Sequence, residues 1–206
     1  SWEFTARDAG GACGLLTTAI TVSTTSSESV FEDNTATHTT SLLSELLLDA
    51  LLPDGYQQDD DDEAFRIWNV SSCPADLNGW CVSDGEGKVC FPAGALLQPG
   101  EAIWCAKKAT AFKSSFGFLP AWEYGADTVP EVPQMSGKAP AFSNSGDELM
   151  LLPPGVDITD SVDTLVYGGG SITTPGWSGP AVQLYRIAGG LGLEGQILFR
   201  KRDELT

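Results

Sequence analysis

The 206-residue chain holds a single histidine, His38, and that residue sits in a Ser/Thr-rich stretch. Its isolation removes Ser-His-Asp triads, histidine-based zinc sites and paired-histidine phosphodiesterase chemistry. Basic residues are scarce: 11 Lys plus Arg against 28 Asp plus Glu leave a formal charge of −17. Such a field repels phosphate backbones and anionic headgroups, so nucleic acid is excluded as an expected partner. No apolar run reaches the ~18 residues of a membrane span. The longest aliphatic cluster, Ser41 to Leu52, is broken by Glu45 and Asp49. No basic segment followed by an apolar one marks a signal peptide, and a chain running from Ser1-Trp2 to Leu205-Thr206 reads as a processed form or a piece of something longer.

The five cysteines, Cys13, Cys73, Cys81, Cys90 and Cys105, contain no C-x-x-C pair and form no zinc pattern. The segment Trp80 to Phe91 reads as a hairpin. A two-residue turn at Gly85-Glu86 sets Cys81 opposite Cys90, within reach of a disulfide, whereas an equally good turn at Asp84-Gly85 slips the pairing. In the first register Trp80, Val82, Val89 and Phe91 face inward and both cysteines face outward. A bridge there fits a chain working outside the cytoplasm.

Residues 1–40 are dominated by Ser, Thr, Gly and Ala, as in Thr21-Val22-Ser23-Thr24-Thr25-Ser26-Ser27. Such a stretch buries too little apolar surface to offset its ordering entropy, so a flexible segment is predicted. From Leu42 onward, short apolar runs separated by turn residues give the rhythm of an all-β sandwich. The runs are Leu42 to Leu48, Ala64 to Val70, Trp80 to Val82, Lys88 to Phe91, Ala102 to Ala106, Glu148 to Leu152 and Ser161 to Tyr167. Leu42 to Leu48 also satisfies helical spacing. An irregular, aromatic and proline-rich excursion is expected between Phe112 and Ser143, and residues 181–206, Gly-rich with a basic Arg200-Lys201-Arg202, read as an outgoing linker.

Three motifs in register, Asp76-Leu77-Asn78-Gly79-Trp80 to Gly85, Phe91-Pro92-Ala93-Gly94 to Gly100 and Asn144-Ser145-Gly146-Asp147-Glu148 to Leu152, resemble the lamin tail domain family. The resemblance spans residues 41–180. It implies an immunoglobulin-like β-sandwich, with Leu42 to Leu48 as a strand and Trp80 and Phe91 in the core. Ala64 stands where the family commonly has an aromatic residue, and Arg66 where it commonly has an acid. The stretch from Ala111 to Pro133 and the tail beyond Trp177 look like a bacterial extracytoplasmic subgroup. There the domain is a module of larger chains, some with phospholipase D-like domains.

The run Asp59-Asp60-Asp61-Asp62-Glu63 is the sharpest charged feature. The four aspartates are candidate calcium ligands, although they lack the alternation of an EF-hand loop, and a solvated acidic loop is the plainer reading. No other cofactor is expected. Trp104, Phe116, Phe118, Trp122, Tyr124 and Trp177 would line a platform for sugar or peptide or else pack the excursion onto the sandwich; Trp122 and Tyr124 are the expected exposed members. Asp157, Asp160 and Asp163 are expected to cap turns and keep an edge strand soluble. Ser143 and Ser145 beside Asp147 lack a histidine base, so a tight turn at Asn144 and Gly146 is expected instead. Asn69-Val70-Ser71 is a glycosylation sequon, meaningful only in a eukaryotic secretory pathway. The expected function is therefore a non-catalytic, secreted or cell-surface binding module that contacts a protein or glycan surface. The alternative is an accessory domain of a phospholipase D-like or other secreted hydrolase.

Overall fold

The computed structural model describes residues 46–185 and 194–200, together with the backbone of two earlier strands. In chain order the elements are β1 (Gly14–Thr21), β2 (Thr35–Leu42), β3 (Leu46–Leu52), β4 (Ala64–Asn69), β5 (Ala75–Asp76), β6 (Cys81–Ser83), β7 (Lys88–Cys90), β8 (Leu96–Leu97) and β9 (Ala102–Ala106). They continue with α1 (Ala109–Phe116), β10 (Trp122–Glu123), β11 (Ser136–Lys138), β12 (Gly146–Leu152), β13 (Asp163–Gly168) and β14 (Leu198–Phe199). The protein is an all-β sandwich. One five-stranded sheet has the order β10-β9-β4-β3-β14 and the other β11-β7-β6-β12-β13.

Period-two alternation sends one set of side chains from each sheet into a shared core. Leu46, Leu48, Leu51, Phe65 and Ile67 come from the first sheet, and Val82, Val89, Leu149, Leu151 and Tyr167 from the second. Phe65 stacks on Tyr124 with ring centroids 5.3 Å apart, and Phe91 meets Trp122 edge-on at 5.4 Å. Each large side chain buried in this way stabilises the fold by about 1.5–3 kcal/mol. In β3 the register against β4 shifts between Leu48 and Ala50, so Asp49 is the inserted residue of a bulge. The insertion lets Leu46, Leu48 and Leu51 all face the core.

On the outer face of the first sheet, α1 lays Phe112 against Leu52, Ala64 and Ala106 to form a second small core. The helix ends at Gly117, whose φ of 81° is open to glycine and whose N–H returns to Lys113 O.

Several sequence expectations are corrected. The excursion after Phe112 is not wholly irregular: it contains part of α1, β10 running parallel to β9, and β11 pairing with β7. Residues 181–206 are not simply an outgoing linker. Val182 bridges Tyr167, Leu198 and Phe199 pair with Leu51 and Ala50, and Arg200 pairs with Asp163, so these residues belong to the sandwich; residues 186–193 and 201–206 lie outside the described residues. Only long-range pairing reveals this, because a two-residue strand has no periodicity. Two strands, β1 and β2, pair antiparallel within the Ser/Thr-rich segment, with Thr18 opposite His38; residues 1–13 and 22–34 lie outside the described residues. Of the run expected as a strand from Leu42 to Leu48, Leu42 is the last residue of β2 and Leu46 to Leu48 open β3; residues 43–45 lie outside the described residues.

Candidate interaction site

The hairpin register is the one set by a turn at Gly85-Glu86. Cys81 lies opposite Cys90, and the two form a disulfide with their Cα atoms 4.0 Å apart. Cys73 is disulfide-bonded as well, and Cys105 is a buried free thiol.

The acidic run does not present four carboxylates to one point. Asp62 is fully buried and accepts from the N–H groups of Tyr56 and Gln57 and from Ser115 Oγ. Asp60 accepts from Gly55 N–H, and Asp61 pairs with Lys108 Nζ at 2.6 Å. At the centre of the loop stands an ammonium group. Lys107 Nζ donates to the carbonyls of Asp59 and Asp60 at 2.9 and 3.2 Å and to Glu63 Oε2 at 3.1 Å. The positive φ angles of Asp59 and Asp60, 60° and 51°, belong to the turn that presents those carbonyls. The loop is thus folded about an internal cation, and no group of three or more His, Cys, Asp or Glu side chains is arranged to hold a metal among the described residues. Burial pushes Glu63 up from the ordinary 4.5 to about 8; the charge and hydrogen bond of Lys107 oppose this, while Asp60 and Asp62 add to it.

The expectation that Trp122 and Tyr124 are exposed is corrected. Tyr124 is buried, stacks on Phe65 and donates its hydroxyl to Glu63 O, while half-buried Trp122 packs on Phe91. The neighbouring Glu123 is fully buried and accepts from the N–H groups of Ala109, Thr128 and Val129. Asp163 is likewise not a solubilising edge residue. It is buried, accepts from Leu48 N–H at 2.7 Å and pairs with Arg200 at 2.7 Å, whereas Asp157 caps a short turn through Ile158 N–H. Burial raises the Asp163 carboxyl above its usual range, against the lowering influence of Arg200. Ser143 and Asp147 shape a turn in which Asp147 accepts from the Ser143 N–H, and Gly146 has a φ of 143°. The sequon residue Asn69 is fully buried, its amide donating to the carbonyls of Cys73, Leu97 and Gln98.

A different surface is brought together instead. Along the outer face of the first sheet, Trp104 is paired with Arg66, Arg66 with Ala50, and Ala50 with Phe199. The Arg66 guanidinium lies 5.3 Å from the Trp104 ring centroid and 5.2 Å from that of Phe199. Its position is held by two hydrogen bonds to Asp49. Beyond Phe199, between the β13 and β14 edges, is a hollow of about 380 Å³ lined by Leu165, Trp177, Val182, Ile197, Leu198 and Phe199, with Arg200 at its margin. Phe199 is 58% exposed. Aromatic walls, apolar flanks and charges already neutralised in pairs make a surface suited to binding.

Sequence reasoning included Trp104 and Trp177 among its aromatics but missed Phe199, which lay in the supposed linker. The signal was Arg66, the one charged residue of β4, which needed both an acid and a reason to lie flat.

No family model matches the chain, and no curated protein matches it. Among solved structures, the chain is similar to a DUF4876 family protein from Bacteroides thetaiotaomicron VPI-5482. The identity is 16% and the TM-score 0.41, over 60% of this chain and 46% of that chain. The chain therefore spans less than half the length of that neighbour, and a likeness of this size assigns neither family nor activity.

Proposed function

We propose that this chain is a non-catalytic binding and anchoring module of the lamin tail type, working outside the cytoplasm through contacts with a protein or glycan surface. The observation that supports it best is the aromatic hollow beside β14, framed by the neutral pairs Arg66–Asp49 and Arg200–Asp163 on a chain of net charge −17. Local neutrality on a strongly acidic protein favours a contact there and repulsion elsewhere. The Cys81–Cys90 bridge agrees with an oxidising compartment. The buried carboxylates Asp62, Glu123 and Asp163 accept backbone N–H groups, so their chemistry is spent on structure.

The test adds the purified chain to chromogenic phosphodiester, ester and glycoside substrates and, in parallel, to immobilised cell-surface proteins and polysaccharides. Retention without turnover is the expected result. Turnover that survives repurification overturns the reading.

A further inference from the structure

The hollow between β13 and β14 selects among ligand chemistries, and the inference rests on the binding-module reading above. We propose that it docks a cationic polypeptide segment that inserts one large apolar side chain between Trp177 and Phe199. Three observations point to that occupant. First, the walls Leu165, Val182, Ile197 and Leu198 are aliphatic, and Arg200 is already committed to Asp163 and to Leu48 O. A sugar ring would leave hydroxyls buried without partners there, at a cost, whereas an aliphatic or aromatic side chain would not. Second, a copy of this chain would bring another −17 charges to the contact, which disfavours self-association. Third, the net charge of −17 attracts Lys and Arg on either side of the inserted residue.

The arrangement has the form of an interface hot spot: aromatic anchors with a stacked arginine beside them, surrounded by charges that steer but contribute little once docked. Phe199 joins the two halves of the surface, with one neighbour in the Arg66 guanidinium and the other in the hollow.

The experiment selects a displayed library of random heptapeptides on the full chain and remakes the enriched peptides synthetically. The expected result is a set of peptides carrying both Lys or Arg and a large apolar residue. These would bind the wild type at least ten-fold more tightly than Phe199→Ser or Trp177→Ala, with affinity that falls as salt rises. The thermal midpoint of each variant is measured alongside; since Phe199 is largely exposed, its replacement leaves the fold intact, and Trp177→Ala provides a second reading of the same site. Three results overturn the proposal. Peptides that bind equally well to both variants would leave a binding module whose site lies elsewhere. Cellohexaose that quenches tryptophan fluorescence in a Phe199-dependent way would make the occupant a neutral glycan. Dimerisation abolished by Phe199→Ser would make it a second copy of the chain.

Discussion

Arg66 grips Asp49 with two hydrogen bonds, Nε to Oδ1 at 2.9 Å and Nη2 to Oδ2 at 2.7 Å, and Asp49 is the residue that the bulge inserts into β3. The carboxylate is 3% exposed, so its charge is tolerable only beside this cation. Arg66→Met would leave it unpaired. The expected loss is about 3–5 kcal/mol in chemical denaturation, because an uncompensated buried charge is strongly destabilising. Arg66→Met combined with Asp49→Leu is expected to recover most of that loss. If the double variant is as unstable as the single one, the pair is not the cause.

Stability is expected to fall as pH rises from about 5 to 8. Burial lifts Glu63 from 4.5 to about 8, so across that window the folded chain keeps a proton that the unfolded chain has released. The contribution is on the order of a few kcal/mol, present in full below pH 4.5 and lost by about pH 8. The carboxyls of Asp54, Asp147 and Asp163, also raised by burial, act in the same direction at the acid end of the range. Urea midpoints measured at unit pH steps would show the slope, and Glu63→Gln would flatten it. A midpoint that climbs between pH 5 and 8 would contradict the assignment.

Calcium at millimolar concentration is expected to leave the thermal midpoint of the wild type where it is, since Lys107 Nζ already sits among the Asp59 and Asp60 carbonyls and Glu63. A ligand that binds only the folded state raises the midpoint by mass action. A rise with calcium that disappears when Asp59 to Asp62 are neutralised would restore the acidic run as a metal site. Lys107→Met is expected to lower stability by about 1–3 kcal/mol, because the Asp59 and Asp60 carbonyls it serves lose their donor.

Replacement of both Cys81 and Cys90 by Ser, which leaves the disulfide of Cys73 in place, is expected to cost about 2–3 kcal/mol through the short loop the bridge closes. The paired strands β6 and β7 place Val82 and Val89 in the core independently of the bridge. A cooperative transition with a lower midpoint is therefore the expected outcome. Loss of cooperativity would show instead that the hairpin depends on the covalent link.

Much of the sandwich was legible because half-buried strands alternate. The runs Ala64 to Val70, Ala102 to Ala106 and Glu148 to Leu152 read as strands and correspond to β4, β9 and β12, whereas the spacing left two hairpin turns open and only the strand pairing selects the one that sets Cys81 opposite Cys90. The site was less legible. Trp122 and Tyr124 looked exposed because aromatic residues among prolines suggest a loop, yet β10 pairs with β9 and draws Tyr124 onto Phe65. The acidic run read as a solvated loop or a candidate calcium site, and neither reading included the lysine at its centre, which lies 44 residues from Glu63 in the sequence.

The sequence alone determined the charge, the turn chemistry and the strand periods, because these are local properties of composition and spacing. Only the tertiary structure decided that Phe199 and Arg200 belong to the sandwich. The strand that holds Phe199 is two residues long, and both its pairing partner Ala50 and the ion-pair partner of Arg200, Asp163, are distant in sequence. Which acids are exposed and which are buried against N–H groups was decided in the same way. A carboxylate's environment depends on what folds over it, and neither spacing nor composition encodes that.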